Sequence, residues 1–169
     1  MSKICIELTN GKKMNLELYP EHAPISVENF LSLVKEGFFD GLCFHRVIEG
    51  FMIQGGGFVH NDTLIHKEAP RTIKGEFLAN GVINNLKHTP GVISMARTMF
   101  PNSASSQFFI CVENVPHLDG QYAAFGKTID EESLAVAIEI SKVDTGFVGG
   151  YADVPTTPIV IKTISIIEE

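Results

Sequence analysis

Residues 44–57 read FHRVIEGFMIQGGG, and the fold of the whole chain turns on how this stretch pairs with itself. Phe44 to Ile48 and Met52 to Gly55 are short apolar-rich runs separated by Glu49, Gly50 and Phe51, which predicts a β-hairpin. A three-residue loop sets Arg46 opposite Gln54 on one face. A two-residue turn at Glu49-Gly50 pairs Arg46 with Ile53 and His45 with Gln54 instead, because a slip of one residue sends every side chain to the other face. Only the first register joins the cation to the amide. Taken alone, the stretch reads more simply as a half-buried hairpin whose Arg46 and Gln54 are solvated rim residues.

Outward from this hairpin, 169 residues give room for one substantial core, and 1–169 is read as a single domain. The net charge is −7 and no run of Lys and Arg occurs, which argues against nucleic acid or an anionic membrane as partner. The N-terminal MSKICIELTNGKK alternates like a strand and lacks the apolar core of a signal peptide. No apolar stretch reaches the roughly 18 residues of a membrane span. A soluble, cytoplasmic protein is the expectation. Cys5, Cys43 and Cys111 are odd in number, widely spaced and set in apolar runs, so buried free thiols are expected rather than a disulfide framework.

Lys3 to Thr9 and Lys12 to Tyr19 alternate around Asn10-Gly11, a dipeptide suited to a tight hairpin turn. Val27, Phe30, Leu31 and Val34 recur at helical spacing between Pro24 at the start and Gly37 past the end, giving an amphipathic helix. Val59 to Pro90 is polar and weakly periodic, a long connection that could line a groove. Gly91 to Ala96 and Ser105 to Val112 read as strands joined by RTMFPNSA, Pro116 to Gly120 as a turn, and Ala123 to Thr128 as a strand. Asp130 caps a second helix with Leu134, Ala137, Ile138 and Ser141 inward. Gly146 to Pro158 is loop, and Ile159 to Ile167 is the closing strand. About eight mostly antiparallel strands and two separated helices predict a mainly β fold: a closed eight-stranded antiparallel barrel capped by two α-helices.

Gly55-Gly56-Gly57 lacks the Lys-Ser/Thr and the following helix of a phosphate loop, so a close-packed turn is preferred. The six histidines show no HxH or HxxxH spacing, so no metal or other cofactor is expected. Phe108 and Phe109 are adjacent and point to opposite faces of their strand. Met95 and Met99 are read as packing residues, and Asn102 and Ser103 as turn residues.

Three motifs in order, FHRVIEGFMIQGGG, SMARTMFPNSASSQFFI and LDGQYAAFGK, resemble the cyclophilins, the peptidyl-prolyl cis/trans isomerases, and the resemblance spans essentially the whole chain. It is closest in character to small single-domain bacterial members. The resemblance implies an eight-stranded barrel with a substrate groove on its outer surface. It matches Arg46 to the catalytic arginine and Phe51, Met52, Gln54, Phe109 and Leu118 to groove residues. Gln107 and the backbone at Ala96 and Arg97 match the part that holds the peptide. Proline-containing peptides and unfolded client proteins are the implied partners of a monomer. Three positions depart from many eukaryotic members: Arg97 stands for an Asn, Tyr122 for a His in the groove wall, and His117 for the Trp that contacts cyclosporin. Catalysis is expected to survive these changes, with cyclosporin binding weak.

The chemistry of X-Pro rotation explains why such residues are needed. The amide barrier is about 18–20 kcal/mol, and unaided exchange takes tens to hundreds of seconds. In the twisted transition state the imide nitrogen regains a lone pair, so a donor aimed there stabilises that state over both planar isomers. Arg46 supplies a permanent cation with several N–H donors, and Gln54 is placed to hold its guanidinium. The competing reading is a proline-peptide binding module or chaperone with incidental catalysis, which needs the apolar pocket but not the donor.

Overall fold

The computed structural model of the chain describes residues 2–169. Strands β1 (Ser2–Leu8) and β2 (Lys13–Leu18) form the first hairpin, with Ile4 opposite Leu16 and Ile6 opposite Met14, all four turned inward. Gly11 takes φ +89 in its turn, as the Asn-Gly reading requires. Helix α1 (Pro24–Lys35) starts on its proline and ends before Gly37, whose φ of +68 suits glycine just past a helix end.

The central hairpin is β3 (Phe44–Ile48) and β4 (Met52–Gly55), in the register that sets Arg46 opposite Gln54. Beyond it, β5 (Phe58–Asn61) and β6 (Thr63–His66) make a small separate hairpin where the sequence suggested only a connection. Strands β7 (Val92–Met95), β8 (Phe108–Cys111) and β9 (Ala124–Thr128) follow, then helix α2 (Glu131–Ser141). A second small hairpin, β10 (Thr145–Val148) and β11 (Tyr151–Pro155), replaces the expected Gly146–Pro158 loop. Strand β12 (Ile161–Glu168) closes the chain.

Eight strands form one antiparallel sheet in the order β12-β1-β2-β9-β7-β8-β4-β3. It curls into a barrel whose last seam, between β12 and β3, is joined by a Cys43–Val160 bridge and hydrogen bonds such as Phe44 N–H to the Ile159 carbonyl, 2.9 Å, rather than by a full ladder. The interior is apolar, with Ile6, Leu16, Ile53, Ile93, Phe108 and Phe125 among its fully buried side chains. Phe30 of α1 enters this core, its ring centroid 5.0 Å from Phe39, 5.6 Å from Phe108 and 5.3 Å from Phe125.

Both helix starts are held by side chains. On α2, Asp130 accepts from the Ser133 N–H at 2.7 Å, as expected. The buried face of α2 is Ser133, Ala137, Ile140 and Ser141; Leu134 and Ile138 are only half-buried, a shift from the expected stripe. Ser133 lies inward because its hydroxyl accepts the Asn15 N–H at 2.8 Å. Helix α1 has no side-chain cap of its own. Glu76, 2 % exposed, reaches in from the 67–90 segment and accepts from the N–H groups of Ile25, 3.1 Å, and Ser26, 2.6 Å. A carboxylate there meets both the orphan donors and the positive end of the helix. This segment is therefore pinned to the start of α1.

Candidate active site

Alternation along β3, β4 and β8 separates the two faces of the sheet. Ile53, Phe108 and Ile110 point into the core; Met52, Gln54, Phe109 and Cys111 point outward. Phe108 and Phe109 thus divide between core and outer face as their adjacency required. Outside, Met52, Phe109, Cys111, Val115 and Leu118 form a second, smaller apolar cluster, with Phe51 and Tyr122 packed against it.

Beside this cluster lies a groove of about 390 Å³. Phe51, Met52, Phe109 and Leu118 make an apolar notch at one end. Arg46, Gln54 and Gln107 form its polar side, and Ala96, Arg97 and Tyr122 its rim. The Arg46 guanidinium donates through Nη1 to Gln54 Oε1 at 3.3 Å, and Gln54 Nε2 donates to Gln107 Oε1 at 3.1 Å. The cation is therefore tethered by a relay of two amides. Gly56-Gly57 allows this relay to come close: a Cβ on Gly57 would stand 2.4 Å from Gln107 Cγ. The triplet is a close-packed turn.

At the rim, Arg97 does not project into the groove as a free cation. Its guanidinium lies 4.6 Å from the Tyr122 ring and 4.7 Å from Phe77, and donates to the Gln121 carbonyl at 2.6 Å. Tyr122 meets Phe109 edge-on at 5.7 Å, so Arg97 braces the notch wall from behind. The Ala96 N–H is used within the fold, donated to the Gln107 carbonyl at 3.0 Å. His117 stands exposed, 6.1 Å from the Phe51 ring, and does not line the groove. Met95 is buried as expected, but Met99 is 84 % exposed and packs no core.

Sequence reasoning missed two features. His88, 2 % exposed, stacks on the back of Phe109 at 5.9 Å and 16°. Its Nδ1 contacts Asp119 Oδ1 and its Nε2 the Ser94 hydroxyl, each at 2.9 Å. Burial pushes the His88 pKa down, opposed by Asp119. These partners lie 31 and 6 residues away, on elements that only the fold brings together. The second feature is the set His45, Phe58 and Tyr151, which line the same groove. For Tyr151, the Gly149-Gly150 pair between two short runs was a readable hairpin signal.

Cys5, Cys43 and Cys111 are buried free thiols, and burial pushes Cys43 up to about 11 and Cys111 up to about 12. Among the described residues, no group of three or more His, Cys, Asp or Glu is arranged to hold a metal ion, and no helix is long and apolar enough to cross a membrane.

An eight-stranded antiparallel barrel with two helices packed against its strands and a groove on its outer wall is the architecture of a proline-isomerase barrel. The family model described as cyclophilin type peptidyl-prolyl cis-trans isomerase/CLD matches residues 4–166. The chain is 43 % identical to peptidyl-prolyl cis-trans isomerase A of Dickeya dadantii, over 95 % of this chain and 83 % of that protein. It is 38 % identical to peptidyl-prolyl cis-trans isomerase B of Escherichia coli, covering 95 % and 97 %. The crystal structure of a cyclophilin type isomerase of Cryptosporidium parvum superposes with a TM-score of 0.77 at 30 % identity, over 99 % of this chain and 98 % of that one. A second structure of that protein, determined in the presence of the dipeptide Ala-Pro, gives 0.77 at 31 % identity, covering 99 % of both chains. The chain belongs to the cyclophilin type peptidyl-prolyl cis-trans isomerase family, a family of enzymes.

Proposed function

We propose that Arg46 is the group through which this chain, acting as a single domain, accelerates rotation about X-Pro bonds. The observation that carries the reading is the hydrogen bond from Arg46 to Gln54 across the β3–β4 pair, immediately beside an apolar notch. The prolyl ring enters the notch between Phe51, Met52, Phe109 and Leu118. As the bond twists, the imide nitrogen becomes pyramidal and Arg46 donates to its lone pair. Gln54, held in turn by Gln107, keeps the guanidinium aimed. The backbone at Ala96 and Arg97 fixes the preceding peptide, while Tyr122 borders the entrance.

A gain of roughly five decades needs about 7 kcal/mol at 1.36 kcal/mol per decade. One preorganised donor contributes about 3–4 kcal/mol. Anchoring one side of the bond while the other turns supplies the rest. No bond is made or broken, and no cofactor enters the scheme.

The substrates on this reading are proline-containing segments of unfolded or client proteins, so the activity assists folding. Three buried free cysteines suit a reducing compartment such as the cytoplasm. The protein acts as a monomer and binds cyclosporin only weakly, His117 standing aside from the groove. Exchange spectroscopy on a short X-Pro peptide, with and without cyclosporin, tests the reading. Accelerated exchange that cyclosporin slows only at high concentration is expected; exchange no faster than in buffer contradicts it.

A further inference from the structure

The groove continues past the proline notch to a second wall that the isomerisation scheme does not use. Its centre is Phe58 on β5, with its ring centroid 4.5 Å from His45 on β3 and 5.3 Å from Tyr151 on β11. Both separations lie in the range of favourable aromatic contact. All three residues line the cavity that also holds Arg46 and Phe109.

Three devices build this wall. A β-bulge in β3 falls between Phe44 and Arg46; with Phe44 and Val47 both in the core, His45 and Arg46 turn outward together. The β5–β6 and β10–β11 hairpins stand apart from the main sheet and brace each other at their turns. A Cβ on Gly149, at φ +57, would come within 2.5 Å of the Thr63 hydroxyl. Finally, the wall carries no charge. His45 is 5 % exposed, burial and the neighbouring Arg46 lower its pKa to about 4, and its Nδ1 has no hydrogen-bond partner. Tyr151, in contrast, is 46 % exposed, a ring standing at the open mouth.

A preformed uncharged wall of rings, continuous with a peptide groove, suits a large apolar side chain. His45 directly precedes Arg46, so an extended peptide bound at Arg46 passes the wall within about two or three residues at roughly 3.3 Å each. We infer that Phe58 and Tyr151 form a second substrate subsite, which takes an aromatic or large aliphatic side chain at one position flanking the X-Pro pair. This rests on the peptide lying in the groove as proposed above.

The test uses an alanine host, Ala-Ala-Ala-Pro-Ala-Ala, with a single Phe walked through the four positions outside the Ala-Pro pair. At one position the full chain turns over the Phe peptide with a kcat/KM about five- to tenfold above the host, the scale of one aromatic contact. The gain appears in KM, because the wall holds planar and twisted forms alike. Tyr151→Ala brings the Phe-to-host ratio to about one, and Tyr151→Phe keeps it. No preference at any of the four positions, or a preference that survives Tyr151→Ala, overturns the subsite. Because the ratio is read within each variant, it is independent of the Arg46→Ala rate, which tests the isomerisation scheme itself.

Discussion

Replacing Gly57 by Ala pushes a methyl group into the amide relay that holds Arg46. The new Cβ would stand 2.4 Å from Cγ, 2.6 Å from Cδ and 2.7 Å from Nε2 of Gln107. Non-bonded carbons pack at about 3.5–4.0 Å, so Gln107 has to withdraw by roughly 1 Å. Its Oε1 accepts from Gln54 Nε2 at 3.1 Å, and a hydrogen bond lengthened that much is no longer one. One such bond is worth about 0.5–1.5 kcal/mol, which corresponds to about a two- to tenfold loss in kcat/KM. Gly57 does not occupy the left-handed region, so alanine adds no backbone strain there and the thermal midpoint is expected to stay close to wild type. The assay is peptide exchange with the wild type, Gly57→Ala, Gln107→Ala and the double variant. If the effect travels through Gln107, Gly57→Ala adds nothing once Gln107 is alanine. A double variant slowed by the product of the two single effects shows that Gly57 does not act through Gln107.

Three further outcomes are expected. Glu76→Ala strands the buried Ser26 N–H and the partly buried Ile25 N–H and should cost about 2–3 kcal/mol, or about 4–12 °C in the thermal midpoint, with Glu76→Gln recovering part; an unchanged midpoint contradicts the trans cap. His45 has its pKa lowered from 6.5 to about 4, so between those values the unfolded chain binds a proton that the native chain refuses. Stability is then full above about pH 6.5 and falls toward pH 4, with His88 adding in the same direction, and His45→Phe should flatten the fall in urea titrations. His88→Phe keeps a ring behind Phe109 but drops the bonds to Asp119 and Ser94. It is expected to raise KM for proline peptides severalfold more than it lowers kcat, and an unmoved KM would remove His88 from the positioning of the notch.

What the sequence made legible was local. The Asn10-Gly11 turn, the Pro24 start and Gly37 end of α1, and the Phe108/Phe109 split each follow from geometry within a few residues. The Arg46–Gln54 register was one of two readings, and the observed pairing selects it. The β5–β6 hairpin escaped because FVHN and TLIH are four-residue runs with little alternation, turning at Asp62, a non-glycine at φ +63. The stripe of α2 was misread because a buried serine, satisfied by the Asn15 N–H, looks polar in sequence. Glu76 capping α1 from afar, His88 between Asp119 and Ser94, and the Phe58–Tyr151 wall are long-range constructions that no window of sequence contains.

The claim on which the rest stands is that Arg46 stabilises the twisted imide rather than merely holding the peptide. Measuring exchange rate and peptide affinity on one Arg46→Ala sample separates the two. The account predicts a rate at least about a hundredfold lower, as befits loss of one preorganised donor, with affinity within a few-fold of wild type. A rate that survives the substitution, or one that falls only as far as the affinity does, contradicts it.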